Sequence, residues 1–205
     1  MKIMITGGAG FIGSHLCDEF VRTNNQVIVI TRNTTSLDRI SHLKDKITLE
    51  RADVTDYDHL GRIIAKHSPE VIIHLAGETS HSKSFENPLY DLDVNTKSTL
   101  YILEKIKQLN LKCRFILGST FIVIGRPQEL PVTEQSVCNP TTIYGANRLA
   151  SEVYCKIYHN VYGIDTITFR ITNSFGPREQ FIPSKNAINF LIHKAFKKEP
   201  IPIFD

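Results

Sequence analysis

"KIMITGGAGFIGSHL", Lys2 to Leu16, decides the fold. A short apolar, β-rich run meets a glycine turn, and from Phe11 apolar residues recur at helical spacing. Gly7, Gly10 and Gly13 stand in G-x-x-G-x-x-G spacing between strand and helix. Gly7 suits a tight turn, Gly10 a backbone that a phosphate can approach, and Gly13 a helix packed close on the sheet. The helix start, at Phe11 and Ile12, offers unpaired N–H groups and the positive end of a dipole to an anion. A turn that merely favours glycine would look the same in isolation. Its setting between a strand and a helix predicts a dinucleotide site, with Gly7, Gly10, Phe11, Ile12 and Gly13 as cofactor contacts.

The same alternation runs outward along the chain. Lys2–Thr6, Gln26–Thr31, Ile47–Arg51, Val71–Leu75, Arg114–Leu117 and Thr166–Arg170 read as buried strands, and Phe11–Arg22, Asp58–His67, Pro88–Leu109 and Thr141–Val161 as helices. Strands spaced by helices predict right-handed βαβ units and an α/β fold: a parallel sheet with helices on both faces. From Phe175 the pattern breaks into a loop, one helix and a short Pro-flanked strand, and it stops before a closing helix. The expected organisation is a dinucleotide-binding domain over residues 1–174 and the beginning of a substrate-binding region over 175–205, the front part of a longer protein.

The bulk numbers exclude several classes. With 205 residues, 41% of them apolar, the chain can bury a proper core. Basic and acidic side chains number 24 and 21, for a net charge of +3, and leave no nucleic-acid footprint. The one basic cluster, Lys194, Lys197 and Lys198, reads as a solvated helix face. Cys17, Cys113, Cys138 and Cys155 show neither C-x-x-C pairing nor metal-type spacing with histidine, and no metal is expected. The start of the chain lacks a leader pattern, and no apolar stretch approaches a membrane span. These readings predict a soluble, cytoplasmic domain.

The ends of the next strands carry the cofactor argument further. A strand serving plain NAD would close on a carboxylate for the ribose 2′-hydroxyl. Here "VIVITRNTTSLDR" closes on Thr31 and Arg32. A hydroxyl beside a guanidinium suits a 2′-phosphate, which favours NADP over NAD, unless Arg32 lies over the adenine or in solvent. "RADVTD" offers Asp53 to the adenine amine and Val54 to the ring face. "IIHLAGETS" brings Leu75, Ala76 and Gly77, small enough at its end for a cofactor to pass close. Asn95 in "LDVNTK" is polar on a packed segment, either facing solvent or serving the site. "RFILGST" ends on Ser119 and Thr120, at the sheet edge where ligands of such folds lie. Finally "YGANRLASEVY" sets Tyr144 and Arg148 one helical turn apart.

TGGAGFIG, ADVTD, HLAG, DVN, ST-x-x-x-x-G, Y-x-x-x-[K/R] and RITNSFGP, in this order and covering essentially the whole chain, resemble the extended short-chain dehydrogenase/reductase family. More narrowly, the set is similar to the nucleotide-sugar epimerases and dehydratases. The resemblance implies a Rossmann-like, doubly wound sheet and a nucleotide-sugar substrate. Tyr144 would take a proton from a sugar hydroxyl as the adjacent carbon gives hydride to the nicotinamide, with Thr120 bonded to the same hydroxyl. Arg148 would stabilise the phenolate and contact the cofactor ribose. Thr79, Ser80 and Asn173 would join Thr120 and Tyr144 in holding substrate, and the long helices would pair in a homodimer.

Two departures from the family pattern bear on the reaction. Its dehydratases follow the catalytic threonine with an Asp-Glu pair, whereas Phe121 and Ile122 stand here; neither can move a proton, which disfavours 4,6-dehydration. Ile124 replaces a common tyrosine. The second departure is arginine at 148 where lysine is usual, a larger, planar and permanently charged group. Two function classes remain open: an epimerase or 4-keto-sugar reductase, and a non-catalytic NAD(P)-binding sensor on the same fold.

Overall fold

The computed structural model describes residues 1–181 and 186–201. Its strands are β1 (Lys2–Thr6), β2 (Gln26–Thr31), β3 (Ile47–Arg51), β4 (Val71–His74), β5 (Arg114–Thr120) and β6 (Thr166–Ile171). All neighbours pair in parallel, in the order β3-β2-β1-β4-β5-β6. This is the doubly wound arrangement expected from strands alternating with helices. The helices are α1 (Phe11–Arg22), α2 (Tyr57–His67), α3 (His81–Glu86), α4 (Pro88–Leu92), α5 (Ser98–Gln108), α6 (Ile143–Tyr162) and α7 (Ala187–Phe196).

The period of two along β1 builds both apolar layers. Met4 joins Ile28, Ile72 and Phe115 on one face, under Leu60 and Ile64 of α2 and Ile102 and Ile106 of α5. Ile3 and Ile5 join Val27, Val29 and Ile73 on the other, with Ala9 and Cys17. There Ile40 and Leu43, from a 3₁₀ turn at Asp38–Leu43, complete the layer. Burying both faces is what permits near-continuous apolar strands.

Several boundaries differ from the sequence reading. β4 ends at His74, one residue early, and β5 runs on to Thr120, because Gly118, Ser119 and Thr120 pair with Phe169, Arg170 and Ile171. The single helix expected over Pro88–Leu109 is three pieces: α4, a π-helical turn at Asp93–Lys97, and α5. The short helix α3 and a 3₁₀ turn at Phe121–Ile124 were not foreseen.

The chain forms two compact units, Met1–Ile171 and Thr172–Asp205. In the second, Glu179 accepts from Asn186 Nδ2 at 3.2 Å, Phe181 stacks on His193, and Asn173 is exposed. The Pro-flanked strand expected near the end lies largely outside the described residues. Among those residues no helix is long and apolar enough to cross a membrane.

Candidate active site

The winding direction of the sheet reverses between β1 and β4, which opens a crevice at their carboxyl ends. Gly7 and Gly10 line it, with Thr31 at the end of β2, Arg32 and Thr35 after it, and Asp53 and Val54 after β3. Leu75, Ala76, Gly77 and Glu78 form the β4 side, and Tyr90 and Val94 the helical side. The glycine turn fits a pyrophosphate. Gly7 takes φ +73°, its N–H bonds Ile30 O at 2.9 Å, and a Cβ on Gly13 would overlap the Gly7 carbonyl. Gly10 caps the 12-residue α1 with no side-chain acceptor, so the first N–H groups stay available to an anion.

Arg51 braces the β2 corner by donating from Nη1 to Arg32 O at 2.6 Å and Thr35 O at 3.1 Å. Arg32 is exposed and reaches Tyr90 Oη at 3.4 Å across the crevice mouth. Asp53 Oδ1 is engaged by Thr55, through its N–H at 3.0 Å and its hydroxyl at 2.8 Å.

A buried hydrogen-bond chain sets the β4 wall. Ser98 Oγ donates to Val94 O at 2.5 Å, so its other partner, His74 Nε2 at 3.0 Å, donates to it. His74 Nδ1 then accepts from Thr6 Oγ1 at 2.7 Å, and Thr6 Oγ1 accepts the Ala76 N–H at 3.2 Å. This is the neutral tautomer. Burial pushes the imidazole down to about 3, and the positive Arg148 adds to the shift.

The π-turn and α4 before it are zipped to α6 by side chains. Ser151 Oγ donates to Asn95 O at 2.7 Å, Thr96 Oγ1 to Asn147 O at 2.9 Å, and Asn147 Nδ2 to buried Asp91 at 2.7 Å. Asn95 is fully buried, which decides against the solvent-facing alternative, and its Nδ2 donates to Glu78 O at 3.0 Å. Among the described residues Asn95 Oδ1, Asp91 Oδ2 and Arg148 Nε and Nη1 are buried polar atoms without a hydrogen-bond partner.

Tyr144 and Arg148 lie on α6, whose first turn is capped by Thr142 Oγ1 accepting the Gly145 N–H at 3.0 Å. Both are buried, at 6% and 2% exposure, with the guanidinium carbon 5.9 Å from the phenol ring centre. Buried Thr120 ends β5, on which α6 packs. Ser119 beside it donates to Glu152 Oε1 at 2.5 Å, and Arg170 Nη2 holds the same carboxylate at 2.8 Å, tying the Thr120 strand to the Tyr144 helix. Phe121 is exposed, and Ile122 meets the first turn of α6 where a Cβ on Gly145 would touch it.

A family model described as GDP-mannose 4,6 dehydratase matches residues 4–204. The chain belongs to that family. It is an extended short-chain dehydrogenase/reductase of the nucleotide-sugar epimerase and dehydratase kind, as its motif set implied. It is 35% identical over 202 residues, 98% of its length, to a putative UDP-glucose 4-epimerase of Methanocaldococcus jannaschii, of which it covers 65%. It is similar in structure to UDP-glucose 4-epimerase with UDP-glucose from Thermotoga maritima, with TM-score 0.89 and 28% identity over 100% of this chain and 66% of that one. The UDP-glucuronic acid 4-epimerase from Bacillus cereus in complex with NAD gives TM-score 0.84 and 29% identity, with the same coverage of 100% and 66%. The chain therefore spans a little under two thirds of the length of these relatives.

Of the residues expected to hold a cofactor, Gly7, Gly10, Thr31, Arg32, Asp53, Val54, Leu75, Ala76 and Gly77 line the crevice together. Phe11, Ile12 and Gly13 open α1 behind the turn. Thr79 and Ser80 lie between β4 and α3, where Ser80 caps α3 by accepting the Lys83 N–H. Sequence reasoning passed over Tyr90, Thr35 and Glu78 in the crevice wall, and His81, whose ring stacks on Tyr144. The serine-histidine step in "TSHSKS" was the available signal for α3, an N-cap before a polar helical turn.

Proposed function

We propose that this chain is the dinucleotide-binding part of a cytoplasmic, homodimeric NDP-sugar 4-epimerase that works through a transient 4-keto intermediate. The observation that carries the reading is the buried Tyr144–Arg148 pair on α6, packed on the strand that ends in Thr120. Tyr144 accepts the proton of the sugar 4-hydroxyl, and Thr120 orients that hydroxyl. Arg148 supplies fixed positive charge to the phenolate. The nicotinamide, when bound, supplies the hydride acceptor and returns the hydride. Phe121 and Ile122 offer no proton at the positions that would drive elimination, which favours epimerisation over dehydration. The same residues would serve 4-keto reduction.

The cofactor favoured is NADP over NAD. Thr31 and the exposed Arg32 close β2 without a carboxylate, and a second guanidinium, Arg51, braces the same corner. The relative from Bacillus cereus holds NAD, so side-by-side calorimetry of the two cofactors decides. Residues 172–205 begin the substrate region, where Asn173 would contact the sugar. The dimer reading rests on Val153, Ile157 and Val161, exposed at helical spacing along α6 at 47%, 43% and 65%.

The deciding experiment is turnover of NDP-sugars by the full polypeptide and by Tyr144→Phe. The wild type should interconvert the 4-epimers with a transient nicotinamide absorbance change, and the variant should lose both by about 10²–10⁴-fold while still binding cofactor. A wild type that binds cofactor yet changes no NDP-sugar would favour the sensor alternative.

A further inference from the structure

Gly77 lines the crevice with its backbone, yet the space behind it is full. A Cβ built there would overlap Arg148 Nη2 and lie 2.5 Å from Asn95 Oδ1. Arg148 Nη2 reaches the neighbouring Ala76 O at 3.5 Å, leaving Nε and Nη1 buried without a partner among the described residues. A guanidinium at 2% exposure with two idle donors is costly unless a ligand with acceptor oxygens completes it.

We propose that Gly77 is the residue that admits arginine at position 148: its missing side chain makes room for the planar guanidinium behind β4 and leaves Nε and Nη1 as donors for the hydroxyl oxygens of a bound ribose. Gly77 is thus a positioning residue that acts through Arg148. A lysine at 148 has no fork to place and no need of that space, since its single ammonium rides on a flexible stem. The guanidinium contact at 77 is therefore a consequence of the arginine, whereas the Asn95 contact is there with either residue. This deepens the dinucleotide reading of the site and rests on it for the identity of the ligand, while the steric pairing itself stands without ligand.

The test is a double-mutant cycle on the full polypeptide: wild type, Gly77→Ala, Arg148→Lys and the combined variant, with melting temperature read without ligand and affinity for NAD and NADP read by calorimetry. Gly77→Ala alone should weaken cofactor binding by about tenfold and lower the melting temperature. In the Arg148→Lys background the same change should cost about fivefold less in affinity, with a smaller melting shift. The clash with Asn95 Oδ1 is common to both backgrounds and cancels in the cycle. Equal losses in the two backgrounds, or no loss from Gly77→Ala, would overturn the pairing. If Gly77→Ala fails to fold and the combined variant folds, the pairing holds; if neither folds, the obstacle at 77 is not Arg148 and the pairing falls. A wild type that binds neither cofactor would sink the dinucleotide reading, and the melting cycle would still decide the pairing.

Discussion

The imidazole of His81 stacks on the phenol ring of Tyr144, with centroids 5.8 Å apart and planes at 26°. His81 opens α3 and is itself exposed, so it covers a buried ring from the solvent side. Ring pairs of this kind are worth about 0.5–1.5 kcal/mol beyond their area. If the stack holds the phenol in place, His81→Ala should lower kcat about two- to tenfold and leave cofactor affinity unchanged. A loss expressed wholly in cofactor affinity would show that His81 serves the nucleotide instead.

The β2 corner sets the second expectation. Thr31 is buried at the end of the strand and Arg32 follows it into the crevice wall. Placing a carboxylate there by Thr31→Asp should repel a 2′-phosphate and accept from a 2′-hydroxyl, shifting the NAD-to-NADP affinity ratio by about tenfold or more toward NAD. Paired titrations of the two cofactors measure it, and an unmoved ratio would remove this corner from cofactor selection.

His74 gives the protein an acid-sensitive element. A histidine in the unfolded chain titrates near about 6.5, whereas burial holds this one at about 3. Between those values the unfolded chain binds the additional proton, so stability falls as pH drops through this window, by up to about 1.4 kcal/mol per pH unit. Below the lower value the contribution is fully lost. His74→Asn should be less stable at neutral pH, since it breaks the chain from Ala76 to Val94, but its urea midpoint should vary less with pH. Parallel pH slopes for the two proteins would contradict the assignment.

The exposed α6 stripe makes a prediction about assembly. Ile157 stands one turn from both Val153 and Val161, so a charge at its position would interrupt the apolar strip that a second copy is proposed to cover. Ile157→Glu should convert dimer to monomer in light scattering with a melting curve still cooperative. A wild type already monomeric at high concentration would remove the dimer from the proposal.

Much of this molecule was legible in its residues, and the exceptions have physical causes. β1, β2 and β3 carry their boundaries on their faces, because β-branched runs end at glycine or polar turns. The crevice followed from strand ends alone, since every parallel strand delivers its last residues to one rim. β5 was read short because Gly118, a weak strand former, interrupts the apolar run, while Gly118, Ser119 and Thr120 are held by pairing with β6. The π-turn was hidden because "DVNTKSTLYIL" keeps an ordinary helical pattern. The carbonyls of Val94 and Asn95 take local hydroxyl donors from Ser98 and Thr99, and Asn95 takes a third, Ser151, from α6, a contact that local spacing does not show. His81 was missed because ring stacking across segments leaves no mark on local spacing.

That π-turn has a further consequence for how the segment can vary. It carries one more residue per turn than the helices on either side. Deleting a single residue between Asp93 and Lys97 would restore a regular helix and leave Pro88–Leu92 and Ser98–Gln108 in nearly the same rotational register, because the wide turn already absorbs the extra residue. Asp91 and Tyr90 would keep their sides of the helix, while the widened backbone that meets Ser151 and Asn147 through Asn95 and Thr96 would be lost. No single substitution samples that change. The turn thus lets the segment differ by one residue in length without bringing its flanking helices to new faces, whereas one residue more or fewer in a regular helix would turn them by about 100°.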